Sequence, residues 1–215
     1  TSYVFVLSLI PGPVQGMRDF VAFWATGQLL AHHANPYDAA ALLQLERAAG
    51  FPSHYDVMYM LNPPWNLPLV YPLGFLNASN ASILWSLIEV GCFAGSVYML
   101  WIMHGRQTNK RYLLGYTFAP ALICLIMGQL TVFALLGLVL FLRYYKTSPF
   151  RAGMSLWFCL LKPHLFLPFG VVMLVWIVVS RNYRVLLGVV ASLTASSAIA
   201  LYLAPGAWSE YLVAF

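Results

Sequence analysis

The chain has 215 residues, of which 61% are of hydrophobic types and 8% are charged, and its mean hydropathy is +0.78. A soluble globular domain carries about 25% charged residues, so too few charges are present to cover a water-exposed surface, and lipid is the expected solvent. The 11 Lys and Arg against 6 Asp and Glu leave a formal charge of +5, which in a membrane protein reads as topology rather than as affinity for nucleic acid.

The apolar run from Thr1 to Ile10 is too short to cross a bilayer core of about 30 Å. It reads as the last turns of a transmembrane helix, and residues 1–215 as a partial module of a larger polytopic protein. Residues 12–80 are too polar and too rich in turn formers for another simple span. They hold four of the six acids among Asp19, Asp38, Glu46 and Asp56, and are expected to form an extracytoplasmic loop with helices lying along the interface. Phe20–Ala31 has the mixed composition of a short helix that Asn35-Pro-Tyr37 stops. Asp38 can cap a second helix over Ala39–Ala48. Leu61-Asn-Pro-Pro-Trp-Asn-Leu-Pro68 and Tyr71-Pro72 cannot be continuous helix, because proline lacks the N–H that the helix ladder needs.

After the polar stretch Asn77–Ser82 the clearest span is Ile83–Met103, followed at once by Arg106, Lys110 and Arg111. Two further basic clusters occur at Arg143, Lys146 and Arg151, and at Arg181 and Arg184. If all three are cytoplasmic, an even number of crossings separates each neighbouring pair. The 31 residues between Arg111 and Arg143 and the 29 between Arg151 and Arg181 would each make a helix of about 45 Å, too long for one crossing and short for two. Short or broken helices are therefore expected, reversing at Met127-Gly-Gln-Leu130 and at Leu161-Lys-Pro-His164, on the side opposite the basic clusters. The final span, Leu186–Leu203, then delivers Pro205-Gly-Ala-Trp-Ser-Glu-Tyr211 to the same face as the first loop.

Asp19 follows Arg18 and precedes aromatic residues. A carboxylate partly desolvated at a lipid boundary gains basicity and can remove a proton from a hydroxyl; equally, Asp19 can be an interfacial acid paired with Arg18. Asp38 is better explained as a cap. Adjacent His32 and His33 point about 100° apart on a helix and chelate poorly. Lys162 and His164, with Arg18 as a third candidate, are cations placed to meet a phosphate near the membrane surface. Trp24, Tyr37, Tyr55, Tyr59, Trp65 and Tyr71 offer flat faces suited to sugars or to the headgroup level. Cys92, Cys124 and Cys159 lie in apolar runs without CxxC spacing, so neither a metal site nor a disulfide framework is indicated. No metalloprotease helix, nucleophile elbow or phosphate-binding glycine loop is present.

The motifs Asp19-Phe-Val-Ala-Phe-Trp-Ala-Thr-Gly27, Asn35-Pro-Tyr37, Asn62-Pro-Pro-Trp-Asn-Leu-Pro68, Gly128-Gln129 and Lys162-Pro163 occur in an order that resembles the family 87 glycosyltransferases, integral-membrane mannosyltransferases that use polyprenyl phosphate sugars. The resemblance implies an all-α, polytopic transmembrane helical bundle of the membrane glycosyltransferase type C, with interfacial helices in the first extracytoplasmic loop, in a cell membrane. It implies a polyprenyl phosphate sugar as donor, a lipid or glycan acceptor, and transfer with inversion, with Asp19 deprotonating the acceptor hydroxyl. The cationic role falls to Lys162 and His164, with Arg18 weaker, and Gln129, Tyr37 and Asn62 are candidates for hydrogen bonds to sugar or phosphate. No cofactor and no metal is expected, and no nucleic acid. Family members are considerably longer than this chain, and many carry Tyr-Pro-Pro where this sequence has Asn62-Pro-Pro. The alternatives are a transporter or flippase of polyprenyl-linked lipids, which would use the same cations but give Asp19 nothing specific to do, and a silent membrane scaffold.

Overall fold

A computed structural model describes residues 18–52, 56–106 and 110–214, and every regular element among them is helical. The opening run to Ile10, His54, Tyr55 and the Arg18 side chain lie outside the described residues. Two compact units are formed. One comprises the chain up to Ile88 with Ile123–Gln129 and the chain from Ser196; the other comprises Glu89–Leu122 and Leu130–Ala195.

The first unit begins with α1 (Arg18–Ala31), which is buried along Phe20–Gly27. Its end is set by His33, whose φ of 56° is the left-handed conformation that closes a helix, while the Ala34 N–H returns 2.8 Å to the Leu29 carbonyl. His32 and His33 are thus exposed at a helix end. Asn35 Oδ1 then accepts the Tyr37 N–H at 2.8 Å, folding Asn-Pro-Tyr into a turn. Asp38 caps α2 (Ala39–Ala48) as expected, its Oδ1 accepting from Ala40 and Ala41 at 2.9 and 3.2 Å. The proline-rich stretch is broken into short turns, Pro64–Asn66, α3 (Leu67–Val70) and Tyr71–Phe75, each with a proline at its first or second position, where the missing N–H costs nothing.

These turns lie against α1 at a backbone-to-backbone crossing. A methyl group on Gly27 would strike the Val70 carbonyl oxygen, and one on Gly74 would strike the Gly27 carbonyl. Only hydrogen at both positions lets the two segments approach this closely. The crossing is pinned by Trp24 Nε1 and Gln28 Nε2, which both donate to the Leu76 carbonyl at 2.9 Å.

Glu46 of α2 is the unexpected residue of this loop. The sequence marks it only as one of the acids in a loop of interfacial helices; the structure buries it completely, with the Met58 N–H donating to both carboxylate oxygens at 3.0 and 3.2 Å. Burial pushes its pKa up from 4.5 to about 7, against the lowering pull of the Met58 N–H and Arg47. An acid whose folded pKa is raised stays protonated in the folded state while the unfolded chain ionises. Its cost is absent below the unfolded value, grows as pH rises from about 4.5 to about 7, and levels off above that at about 3 kcal/mol. Glu46→Gln should therefore slow hydrogen exchange of the Met58 amide at pH 8 by one to two orders of magnitude and leave it unchanged at pH 4. Equal exchange in both proteins at pH 8 would contradict this reading.

Among the described residues three helices are long and apolar enough to cross a membrane: α4 (Ala78–Met103), α9 (Pro163–Ser180) and α10 (Tyr183–Leu203). At 1.5 Å per residue they are roughly 39, 27 and 32 Å long. α4 starts earlier than the apolar run predicts, because Asn77 Oδ1 caps the Asn80 N–H at 2.9 Å and the polar stretch becomes its first turns. α10 likewise begins three residues before the predicted Leu186.

The two broken stretches have their breaks where the polar turns predict them. α5 (Ala119–Met127) ends at Gly128, whose φ of 70° suits glycine, and α6 (Thr131–Tyr144) follows. The second stretch is α7 (Pro149–Ser155), α8 (Trp157–Leu160), a turn at Leu161-Lys162, and then α9.

In the second unit α6 runs antiparallel to α7 and α8. Cys159 Sγ donates to the Ala134 carbonyl at 3.4 Å, Phe133 stacks on Phe158, and Ala152 and Leu156 share a core with Phe141. α9 returns along them, bringing Trp176 edge-on to Phe141 and Tyr145, and α10 crosses α7 where Gly153 meets Gly188. Consequently Arg143, Lys146 and Arg151 lie at the same end of this unit as Arg181 and Arg184. The Lys162-Pro163-His164 turn lies at the opposite end, with the start of α6.

Candidate active site

Asp19 occupies the first turn of α1 and is partly exposed. Its neighbour Phe20 and Phe23, one turn on, pack against Trp85 of α4 at ring-centroid distances of 6.4 and 5.5 Å. The Trp85 indole N–H donates 3.1 Å to the Gly128 carbonyl. Through this fully buried tryptophan, the helix that carries Asp19 and the turn that carries Gln129 are held to one frame. Gln129 is fixed further by its N–H to the Cys124 carbonyl at 2.9 Å, and the Cys124 thiol lies 3.9 Å from its Oε1.

Tyr37 and Asn62 are both buried and are brought together by α11 (Ala207–Ala214). The Tyr37 ring meets Tyr211 at 5.6 Å, Tyr211 donates its hydroxyl 3.4 Å to the carbonyl of Leu61, and Trp65 meets Trp208 at 5.7 Å. Burial, with Tyr211 and Glu210 close by, pushes the Tyr37 phenol well above its usual pKa, so it stays neutral. The expectation that Pro205–Tyr211 returns to the face of the first loop agrees with these contacts.

Lys162 and His164 belong to the second unit. Lys162 is half-buried immediately before α9, Pro163 takes the first helical position, and His164 is exposed in the first turn. Pro168 supplies no N–H to the His164 carbonyl. Beside this turn opens an apolar cavity of about 360 Å³ whose lining includes Leu156, Cys159, Pro163, Phe166, Ile177 and Val189. Asp38 is engaged as a cap and Asp56 is exposed, so neither matches Asp19 as a carboxylate held at a packed helix start.

Two residues escaped the sequence reading. Trp85 looks like one more apolar residue of a span, and its bond to Gly128, 43 residues away, has no local signal. Glu89 did carry a signal, as the lone acid in an apolar run. It is completely buried in α4, with buried Ser82 and Ser96 seven residues to either side on the same helix face.

Apolar helices long enough to cross a membrane, with shorter helices broken at polar turns, make this a helical membrane protein. A family model of glycosyltransferase family 87 matches residues 60–215, and the chain belongs to that family. The matched range includes Asn62, Gln129, Lys162, His164 and α11, while Asp19 and Tyr37 precede it. No curated protein and no solved structure matches the chain.

Proposed function

We infer that the chain transfers a sugar, mannose, from a polyprenyl phosphate donor to a hydroxyl of a lipid or glycan acceptor, with inversion at the anomeric carbon. The observation that supports this most is the apolar cavity beside the Lys162-Pro163-His164 turn. An isoprenoid chain suits an all-apolar cavity, and a phosphate suits the two cations that flank Pro163. In the reaction the acceptor hydroxyl attacks the anomeric carbon and its proton passes to the Asp19 carboxylate. The bond from the anomeric carbon to the phosphate oxygen breaks, and the electron pair leaves with the phosphate. That leaving group is already a good one, so a base and cationic stabilisation matter more than a general acid. Gln129, Tyr37 and Asn62 are assigned hydrogen bonds to the sugar or phosphate.

Our reading puts the protein in the cell membrane as a multi-pass chain, with the basic clusters at residues 106–111, 143–151 and 181–184 cytoplasmic and the first loop extracytoplasmic. A carrier of polyprenyl-linked lipids would share the cations but leave Asp19 without a task.

Lys162→Gln should raise the half-saturating concentration of polyprenyl-phosphate-mannose by roughly 10- to 100-fold, the worth of one charge-assisted hydrogen bond. His164→Gln should raise it less. Unchanged donor saturation in Lys162→Gln would contradict the assignment.

A further inference from the structure

The basic end of the second unit combines two features that the chemistry above does not use. Arg143, Lys146, Arg151, Arg181 and Arg184 are all exposed there. The stretch from Leu130 to Ala195 contains no Asp or Glu, so no carboxylate of these helices neutralises them. Beside them α6 and α9 leave an apolar groove of about 210 Å³, lined by Phe141, Leu142, Tyr145, Val172, Met173 and Trp176. It opens on the α6 side of α9, whereas the larger cavity lies towards α8 and α10, and the two share Met173 alone. Its wall is aromatic. Trp176 meets Phe141 and Tyr145 edge-on at ring-centroid distances of 6.0 and 6.1 Å, and the Lys146 ammonium stands 5.4 Å over the Tyr145 ring. One ring therefore both lines the groove and carries a cation.

The chemistry of the occupant follows from the order of these features along α9. Trp176 precedes Arg181 by five residues and Val172 precedes it by nine, so the groove runs from about 7 to about 14 Å inward of that cation. This is the depth at which acyl chains begin beneath the headgroup layer. A soluble phosphate would use the cations and leave the groove unfilled. A partner helix, about 10 Å across with its side chains, is too wide for a groove of this size. A phospholipid of net negative charge has both parts in the observed order, a phosphate at headgroup level and an apolar chain below it. A zwitterionic phospholipid carries the same phosphate but also brings an ammonium into a cluster of cations.

We propose that the groove between α6 and α9 binds one acyl chain of an anionic phospholipid of the surrounding bilayer, whose phosphate is held by Lys146 together with Arg143 and Arg181. The site is separate from the transfer chemistry, because the Lys162-Pro163-His164 turn lies at the other end of α9, about 27 Å away. It does not rest on the transferase reading.

The test is fluorescence quenching of the protein in phosphatidylcholine nanodiscs doped with a minor fraction of lipid brominated in its acyl chains. Bromine quenches tryptophan on contact, and the difference between wild type and Trp176→Phe isolates the Trp176 component. Brominated phosphatidylglycerol should quench that component about fivefold more strongly than brominated phosphatidylcholine at the same fraction, the worth of about one basic contact at a membrane surface. Lys146→Gln, at an exposed position where folding is not at stake, should remove most of that preference. Val172→Phe, which fills the groove from an exposed position and keeps every cation, should remove it as well. Equal quenching by the two lipids in wild type, or a preference undiminished in Lys146→Gln, would overturn the proposal. So would a preference undiminished in Val172→Phe, since diffuse surface charge alone would then account for it.

Discussion

Replacing Gly74 by alanine should lower the thermal midpoint by about 10 °C, whereas alanine at Gly91 should leave it unchanged or raise it slightly. Both are glycine-to-alanine changes in helical backbone, so propensity alone favours alanine at each by about 0.5–1 kcal/mol. The surroundings decide the sign. At Gly91 the added methyl group would meet nothing within 4 Å among the described residues beyond its own helix backbone and chain neighbours, whereas at Gly74 the methyl would collide with the Gly27 carbonyl. Backbone cannot yield as a flexible side chain does, so the Tyr71–Phe75 turn must move away from α1. That move would break the Trp24 and Gln28 bonds to the Leu76 carbonyl. Overpacking together with lost buried hydrogen bonds is worth at least about 3 kcal/mol, which for a chain of this size shifts the midpoint by several degrees or more. Gly27→Ala should behave like Gly74→Ala, because both sit at the same crossing. Equal midpoints for Gly74→Ala and Gly91→Ala, measured by fluorescence-detected size exclusion after heating, would show that the crossing is not needed for stability.

Local chemistry made much of the fold legible. Asp38 stands where an N-cap is needed and caps; Gly128 and Lys162-Pro163 stand where helices must break and break them. Charge spacing anticipated that the clusters around Arg143 and Arg181 share an end of the second unit, because each return requires two short crossings. What stayed hidden depends on partners distant in sequence. The motif glycine Gly27 has no evident purpose until Val70 and Gly74 pack on it. Trp85 is one more apolar residue of a span until the Gly128 carbonyl accepts a hydrogen bond from its indole N–H, and Glu46 is one more acid of the first loop until the Met58 N–H donates to it. Tyr37 and Asn62 were singled out for their motifs, but what joins them is α11, about 150 residues further along the chain. Glu89 is the exception, since a lone acid in an apolar run is visible without any fold.

Asp19→Asn should cost roughly 100- to 10,000-fold in transfer rate, the usual worth of a general base. The amide is the same size as the carboxylate, so the packing of Phe20 and Phe23 on Trp85, and with it the frame that holds Gln129, should survive. Donor binding, assigned to Lys162 and His164, should also survive, which separates loss of a proton acceptor from loss of the site. A merely structural acid would instead lower the thermal midpoint and spare the rate of whatever protein remains folded. The decisive measurement is transfer of label from radiolabelled polyprenyl-phosphate-mannose in membranes carrying the protein, with wild type and Asp19→Asn at equal expression. Wild type should yield a product of inverted anomeric configuration and Asp19→Asn almost none at unchanged donor saturation. Transfer at the wild-type rate by Asp19→Asn, or wild-type transfer from a sugar nucleotide but not from the lipid phosphate, would contradict it.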